Sequence, residues 1–294
     1  MQILVIGAAG YAGRQVATAL RRQGHSVLGM TRDTTSARAT ALTAAEVRPV
    51  AGDLADPASY RSHLREVDAV VHLSMDTNDP AGADLALFAE LEAAGGPHLV
   101  YTTGCSSYGR VDAPVLDENT PGNPGGALYF RLELEQRLAA SGLPHTVLRP
   151  GFIYGGEART SQAGNWFAAG RSGRAVFYGD RAKSWTWVHV DDLAEAYTAV
   201  VAGIGGGLPS GEVFCVGEEN PPTALEVFTA CVRAAGHTGP VEFAPIEQAG
   251  WLDRAADHDE VMTSAKAREV LGWTPRHAGV LADVDTYYRA WAAS

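Results

Sequence analysis

Three glycines stand at three-residue intervals near the start of the chain, in the segment GAAGYAG. Gly7, Gly10 and Gly13 follow a short apolar run and precede apolar residues at helical spacing. A glycine turn lets backbone N–H groups face a pyrophosphate, and a helix start adds donors and a positive dipole end. This context predicts a dinucleotide site, although a glycine turn without a ligand is the alternative. The residues expected there are Gly7, Gly10, Tyr11, Ala12, Gly13 and Arg14.

The residue after the second predicted strand indicates which dinucleotide binds. A site for NAD usually has Asp or Glu here to bond the ribose hydroxyls, whereas arginine suits a 2′-phosphate. Arg32 holds this position, and Arg14 adds positive charge at the helix start. We therefore expect NADP(H) to be favoured over NAD(H). The alternative is that Arg32 and Asp33 only pair with each other on the surface.

Strand and helix patterns alternate through the first half of the chain and would position this site. Short apolar runs predict strands, and the segments between them have helical spacing or glycine-rich ends. Such alternation predicts an α/β fold with a doubly wound parallel sheet of the Rossmann type. We expect this dinucleotide-binding domain over residues 1–150. Residues 151–294 are expected to form mainly a small C-terminal substrate-binding lobe, with segments that return to the Rossmann core.

Composition excludes several classes of partner. The 294 residues are 46% hydrophobic and 19% charged, with a net charge of −11, which argues against nucleic-acid binding. No apolar run reaches about 18 residues, and no signal peptide is visible, so neither membrane association nor secretion is expected. Three scattered cysteines lack zinc-site spacing, and we expect no metal and reduced thiols in the cytoplasm.

Longer segments resemble a known family. Together they identify the chain as similar to the extended or atypical short-chain dehydrogenase/reductase superfamily, in particular its NAD(P)-dependent epimerase/dehydratase group. The segments are GDL at 52–54, AVVHLS at 69–74, VYTTGCSSYG at 100–109, LRPGFIYG at 148–155, WVHVDDLAEAY at 187–197 and LGWTPR at 271–276. The resemblance implies a Rossmann domain that binds a nicotinamide cofactor, with Asp53, Leu54 and Leu73 among its contacts. A turn-capping role is the alternative for Asp53.

The usual catalytic set of this superfamily is a Ser or Thr after the fifth strand and a Tyr-x-x-x-Lys motif on the next helix. Tyr129 matches the tyrosine, but Glu133 replaces the lysine. The usual place of the hydroxyl residue holds Gly104, and Thr103 is adjacent to it. The resemblance therefore assigns catalysis to Tyr129 and Thr103 in a divergent member. It also implies a homodimer.

An acidic residue near the tyrosine changes which reaction the site can perform. Glu133 lies four residues after Tyr129, which would place both on one face of a helix, whereas Arg131 would point to another face. A nearby negative charge disfavours phenolate, so Tyr129 is expected to donate a hydrogen bond but to be a poor base. NADPH-dependent carbonyl reduction, as in a ketoreductase of secondary metabolism, fits better than alcohol oxidation. A protein that only senses NADP(H), or a non-redox enzyme, is an alternative.

Aromatic and basic residues dominate the segment where the resemblance places the substrate. The aromatic residues predict a small apolar or aromatic substrate, and core packing is their alternative. They are Trp166, Phe167, Phe177, Tyr178, Trp185 and Trp187. The arginines leave open a nucleotide-sugar epimerase or reductase, because guanidinium groups bind diphosphates. They are Arg149, Arg159, Arg171, Arg174 and Arg181.

Overall fold

The computed structural model describes residues 1–158 and 160–294, and it divides into two compact units. Unit 1 consists of Met1–Thr103, Phe130–Leu148 and Ala194–Val213. Unit 2 consists of Gly104–Tyr129, Arg149–Leu193 and Phe214–Ser294. Across these described ranges, every helix is too short or too polar to cross a membrane.

The strands form one large sheet and two small ones. In chain order they are β1 (Gln2–Ile6), β2 (Ser26–Thr31), β3 (Arg48–Ala51), β4 (Ala69–His72), β5 (His98–Thr102), β6 (His145–Pro150), β7 (Phe152–Tyr154), β8 (Val176–Tyr178), β9 (Trp187–His189), β10 (Glu212–Val216) and β11 (Glu242–Ala244). The seven-stranded sheet has the order β10-β6-β5-β4-β1-β2-β3. Its pairs from β6 to β3 are parallel, which confirms the Rossmann-like α/β fold.

Helices alternate with the strands of the large sheet. In chain order they are α1 (Tyr11–Arg22), α2 (Ala37–Ala44), α3 (Pro57–Leu64), α4 (Pro80–Ala93), α5 (Phe130–Ser141), α6 (Gln162–Arg171), α7 (Val190–Gly205), α8 (Ala224–Ala234), α9 (Trp251–Ala255), α10 (Ala265–Leu271) and α11 (Val284–Ala292). Local sequence signals explain where several of these helices begin. Asp56 caps α3, with its carboxylate accepting the N–H of Ala58 at 3.2 Å, and Pro57 occupies the first turn.

The core of unit 1 forms because its strands are apolar on both faces. Residues Ile3 to Ile6 of β1 are fully buried, as expected for a central parallel strand that is covered by helices on both sides. The side chains of Tyr60, Tyr101 and Leu138 belong to the same cluster of buried residues. This rigid sheet fixes where the loops after β1, β4 and β5 begin.

The core of unit 2 is built largely from aromatic side chains. Trp166, Phe167, Phe177, Trp185 and Trp187 are each at most 7% exposed and belong to one hydrophobic cluster. The ring of Trp185 stacks on those of Phe152 and Trp166. These five residues pack against one another in the interior, which supports core packing, the alternative given for them. Their abundance in the sequence reflects the core of this unit.

Candidate active site

The glycine loop between β1 and α1 is tight enough to exclude side chains. Gly7 has a φ of +88°, which favours glycine, and its carbonyl oxygen accepts the N–H of Gly10 at 2.9 Å. A Cβ on Gly13 would lie 2.1 Å from the oxygen of Gly7. The strand and the helix therefore approach so closely that only glycine fits at position 13.

The start of α1 has the features of a pyrophosphate site. Its N-cap residue, Gly10, provides no side-chain cap, and the first turn contains no acidic residue. The amide groups and the positive dipole end of such a helix start favour a bound anion. Gly7 also lies against Leu73 and Ser74, which follow β4, at distances of 3.1–3.2 Å from its would-be Cβ. The residues present thus fit a dinucleotide, which Gly7 to Arg14 and Leu73 would hold.

The ends of β2 and β3 place the residues predicted for the adenosine half of the cofactor. Arg32 is exposed, while the Asp33 carboxylate accepts bonds from the N–H and the hydroxyl of Thr35, at 2.8 and 2.6 Å. Those bonds lower the pKa of Asp33. The half-buried Asp53 accepts the N–H of Ala55 at 3.1 Å, so its carboxylate does stabilise a turn, and Leu54 is buried.

A buried polar triad lies behind the carboxyl ends of β4 and β5, and sequence reasoning missed it. Asp84 of α4 accepts a hydrogen bond from Tyr101 at 2.6 Å and contacts His72 Nε2 at 2.8 Å. All three side chains are at most 2% exposed. Burial works to raise the pKa of Asp84, but the charge of His72 and the two hydrogen bonds outweigh it and lower that pKa. The spacing of these residues gave no signal, because they come from three separate elements.

The threonines at the end of β5 are held by residues of α5 and α7. Thr103 donates its hydroxyl hydrogen to Glu135 Oε1 at 2.6 Å, and Glu135 is only 6% exposed. Arg131 Nη1 donates to the carbonyl oxygen of Thr102 at 2.9 Å. The hydroxyls of Thr102 and Tyr197 are 2.5 Å apart. Thr103 therefore has a defined acceptor in unit 1, and Arg131 supplies a cation at the carboxyl end of β5.

The structure changes the geometry expected around Tyr129. The spacing predicted that Tyr129 would lie on the same helix face as Glu133. Helix α5 begins at Phe130, however, so Tyr129 precedes the helix. Tyr129 is half-buried, and its N–H donates to the Gly126 oxygen at 3.1 Å. Glu133 lies in the first turn and is exposed. The charged residues of α5 that contact the end of β5 are instead Glu135 and Arg131.

The arginines considered for a diphosphate differ in their surroundings. Arg149 is buried, and its Nη1 donates to the hydroxyl of Tyr108 at 2.6 Å and to the backbone carbonyl oxygen of Glu118 at 3.2 Å. This guanidinium serves an internal network of unit 2. Arg171, Arg174 and Arg181 are exposed, and Arg159 lies outside the described residues.

One group in unit 2 brings together side chains that often bind metals, namely His189, Asp191 and His277. The two imidazole rings are stacked, with centroids 3.5 Å apart and planes inclined by 15°. Nitrogen lone pairs lie in the ring plane, so stacked rings direct them side by side, whereas zinc needs them to converge at about 2.0–2.1 Å. Burial and the neighbouring His277 lower the pKa of His189 to about 4. We assign the two stacked imidazole rings to packing.

A parallel sheet with a glycine loop after its first strand defines an α/β protein of the dinucleotide-binding Rossmann class. The family model described as "NAD dependent epimerase/dehydratase family" matches residues 3–217. The chain belongs to this family, and it is accordingly an NAD(P)-dependent enzyme of the oxidoreductase type.

Similarity to individual proteins extends over nearly the whole chain. It is 26% identical to a UDP-glucose 4-epimerase of Corynebacterium glutamicum, covering 99% of this chain and 95% of that protein. It is 28% identical to a 3-diazoavenalumate denitrifying reductase of a Streptomyces species, covering 94% and 97%. The crystal structure of a dTDP-glucose 4,6-dehydratase from Bacillus anthracis in complex with NAD has a TM-score of 0.82 at 18% identity, covering 100% and 97%. At 18% identity, the similarity to this crystal structure shows the fold alone.

Proposed function

We propose that the protein is an NADPH-dependent reductase that acts on a carbonyl group of a small molecule. The bound cofactor would supply a hydride to the carbonyl carbon, so that the oxygen gains an electron pair and needs a proton. The observation that carries the proposal is the acidic, exposed Glu133 at the position where the resembled superfamily has lysine. A reductase has to stabilise and protonate an oxygen, whereas an alcohol-oxidising enzyme needs a base.

The exposed arginine after β2 supports NADPH as the cofactor. The Asp33 carboxylate is bound by Thr35, and Arg32 is an exposed positive charge directly after β2, where the 2′-phosphate would lie. We expect Arg32→Ala to weaken NADPH binding by about tenfold, equivalent to about 1.4 kcal/mol, and to leave NADH binding nearly unchanged. Fluorescence titration with both cofactors measures this. Arg38→Ala, which alters an exposed arginine of α2, is the matched control. Equal losses for both cofactors would refute the assignment of a 2′-phosphate site.

In this proposal Tyr129 donates a hydrogen bond to the carbonyl oxygen as negative charge develops there. Loss of one such donor typically costs about 100- to 1,000-fold in kcat. We therefore expect Tyr129→Phe to lower the single-turnover rate of NADPH oxidation by about 100-fold, with unchanged NADPH affinity. The matched control is Tyr288→Phe, a change in α11 of unit 2. If Tyr129→Phe retained the full rate, the residue would have no place in the reaction.

A nucleotide-sugar epimerase is the second candidate, because the match to a UDP-glucose 4-epimerase spans 99% of this chain. That reaction requires a base to remove an alcohol proton, and position 133 lacks the lysine whose charge would stabilise Tyr129 as phenolate. Arg149, the buried arginine considered for a diphosphate, is also bound by Tyr108 and Glu118.

A two-step experiment separates these functions. NADPH and NADH are first titrated into the purified protein, and NADPH oxidation is then followed with acetophenone, cyclohexanone and benzaldehyde. The panel contains aromatic and aliphatic carbonyls because the buried aromatics of unit 2 favour neither class. Oxidation of NADPH with matching alcohol formation supports the reductase. Interconversion of UDP-glucose and UDP-galactose without carbonyl reduction would establish the epimerase, and cofactor binding without any turnover would refute both.

A further inference from the structure

A carboxyl group with no solvent exposure lies close to three polar side chains in unit 2. Glu260 is 0% exposed, and its Oε2 accepts the hydroxyl hydrogen of Ser106 at 2.8 Å. Its Oε1 lies 3.5 Å from Nε2 of His258. The thiol of Cys105 also interacts with this carboxyl, and both groups have raised pKa values. This group of residues, Cys105, Ser106, His258 and Glu260, is called the Glu260 cluster below.

The cluster is held rigidly but is not fully satisfied by internal hydrogen bonds. The Glu260 N–H donates to the Ser184 oxygen at 2.9 Å, and the Glu260 carbonyl accepts the Thr186 N–H at 3.0 Å. Glu260 Oε1 and His258 Nε2 have no hydrogen-bond partner among the described residues. Burying a carboxyl oxygen without a hydrogen-bond partner is costly to the fold, and more so if the carboxyl is charged. An arrangement that retains this cost in a fixed frame suggests a functional use.

The hydroxyl member of the cluster follows the end of a sheet strand. Ser106 lies in a short 3₁₀ helix, Cys105–Ser107, which begins soon after β5 ends at Thr102. Gly104, with a φ of +151°, allows the sharp turn between them. Ligands of doubly wound sheets bind beyond the carboxyl ends of the strands. Ser106 is only partly buried, whereas Glu260 is completely enclosed, so the hydroxyl is the accessible end of the pair.

We propose that Ser106 and Glu260 form a proton relay that delivers a proton to the oxygen of the reduced carbonyl. The inference rests on the proposed reductase function and adds a route for its proton. Neither residue belongs to the catalytic pair, Tyr129 and Thr103, that the sequence predicted. In the relay Ser106 is the group that touches the substrate, and Glu260 acts through it.

The proton transfers balance. The Ser106 O–H bond breaks as the proton moves to the substrate oxygen, which has received the electron pair of the former C=O π bond. When Glu260 is ionised, Ser106 donates to its Oε2 at 2.8 Å; when Oε2 is protonated, the carboxyl donates to the Ser106 oxygen and the serine hydrogen is free for the substrate. As that hydrogen leaves, the Glu260 O–H bond breaks, and its proton restores the hydroxyl of Ser106. The product is a neutral alcohol, and Glu260 is left as a carboxylate. It accepts a new proton, which originates from solvent, before the next turnover.

The surroundings of Glu260 suit it to exchange protons near neutral pH. Burial raises its pKa to about 7, opposed by hydrogen bonds from Cys105 and Ser106 and by the charge of Lys183. Burial lowers the pKa of His258, which faces the other carboxyl oxygen. A donor whose pKa lies near the working pH can give and regain protons efficiently. Because the relay requires protonated Glu260, the rate should fall as pH rises through about 7.

The test combines infrared titration with kinetics on the full chain. The wild-type protein should show a carboxyl signal in pH-difference infrared spectra that titrates at the Glu260 pKa of about 7. Glu260→Gln should lose this signal. With NADPH and the panel carbonyl that reacts fastest, Glu260→Gln and Ser106→Ala should each lower kcat about 100-fold. Ser106→Thr, which keeps a hydroxyl, should restore most of the rate. Both low-activity variants should lose the fall in rate with rising pH.

Glu218→Gln is the matched control. Glu218 is another buried carboxyl of unit 2, bonded to the Tyr154 hydroxyl, and burial raises its pKa to about 7 as well. Its replacement should remove a different infrared signal and leave kcat unchanged. If Glu260→Gln does not fold, the relay is tested by Ser106→Ala, Ser106→Thr and the wild-type pH profile. It then requires a low rate in the first variant, a restored rate in the second, and a wild-type rate that falls as pH rises.

The outcomes separate the relay from the reductase function. A wild-type protein that reduces no carbonyl of the panel would refute the proposed function, and the relay with it. A wild-type protein that is active while Ser106→Ala or Glu260→Gln retains full rate would overturn the relay alone. The same conclusion would follow if Glu260 did not titrate between about pH 5 and 9 in the infrared spectra.

Discussion

Gly13→Ala is expected to abolish NADPH binding and to lower the stability of unit 1 by about 3 kcal/mol or more. The added Cβ would lie 2.1 Å from the oxygen of Gly7 and 2.7 Å from its carbonyl carbon. Both are backbone atoms, so no rotamer change can relieve the contact, and α1 must move away from β1. That movement would displace the helix start that we assign to the pyrophosphate. Urea unfolding and NADPH fluorescence titration measure the two effects.

A second glycine provides the control for this substitution. Gly205 is the last residue of α7, is exposed, and has no atom within 4 Å of a would-be Cβ. Gly205→Ala should therefore leave cofactor binding unchanged and alter stability by at most about 1 kcal/mol. Normal NADPH affinity in Gly13→Ala would show that the close approach of α1 and β1 is not needed for the cofactor.

The parts of the fold that follow local rules were predictable from the sequence. The apolar run Gln2–Ile6 matches β1 residue for residue, because a central parallel strand must be apolar on both faces. The prolines and acidic caps of α3 and α4 act within a few residues of where they stand. Glycines at the β1–α1 turn likewise have a local cause, namely the positive φ of Gly7.

Elements shaped by tertiary packing were not predictable in the same way. Helix α6 contains two glycines, which normally disfavour a helix, and no helix is predicted there from the sequence pattern. A Cβ on Gly164 would lie 1.9 Å from the Ala158 oxygen, and one on Gly170 would lie 2.8 Å from Val232 of α8. The glycines are required by close packing, which a local pattern does not show.

The candidate site was predictable only where its residues are close in sequence. The aromatic segment could not be assigned to pocket or core, because both uses favour the same residue types. The acidic partners were hidden for another reason: Glu135 is 32 residues from Thr103, and Glu260 is 154 residues from Ser106. Only the folded chain shows that each hydroxyl donates to a buried carboxyl.

Two hydroxyl groups near the end of β5 each contact a buried carboxyl, in a chain that has glutamate where the resembled superfamily has lysine. The usual lysine would supply a positive charge, whereas here buried carboxyls accept from Thr103 and Ser106. A carboxylate partner orients a hydroxyl and, when protonated, can return a proton to it. In the proposed relay the protonated Glu260 carboxyl delivers a proton through Ser106, whereas removal of a proton from an alcohol would need that carboxyl ionised. The lack of a lysine at position 133 and the geometry around Glu260 thus support the same direction of reaction.

The buried triad of unit 1 should dominate the response of the protein to acid. We expect Asp84→Leu to lower the free energy of unfolding at neutral pH by about 3–5 kcal/mol, because His72 and Tyr101 would each lose a buried partner. The pKa of Asp84 is lowered in the folded protein. Its ionised form therefore stabilises the fold above the unfolded value of about 3.9, and this contribution is lost as pH falls through the folded value.

Urea unfolding of wild type and Asp84→Leu between about pH 3 and 7 measures this dependence, and the difference in stability should shrink at the acidic end. A triple variant that combines Asp84→Leu with His72→Leu and Tyr101→Phe is the control. It removes all three polar groups together, so no buried donor or acceptor is left unpaired, and much of the lost stability should return. If the free energy of unfolding of Asp84→Leu were within about 1 kcal/mol of the wild-type value, or if the difference did not change with pH, Asp84 would not stabilise the fold as a carboxylate.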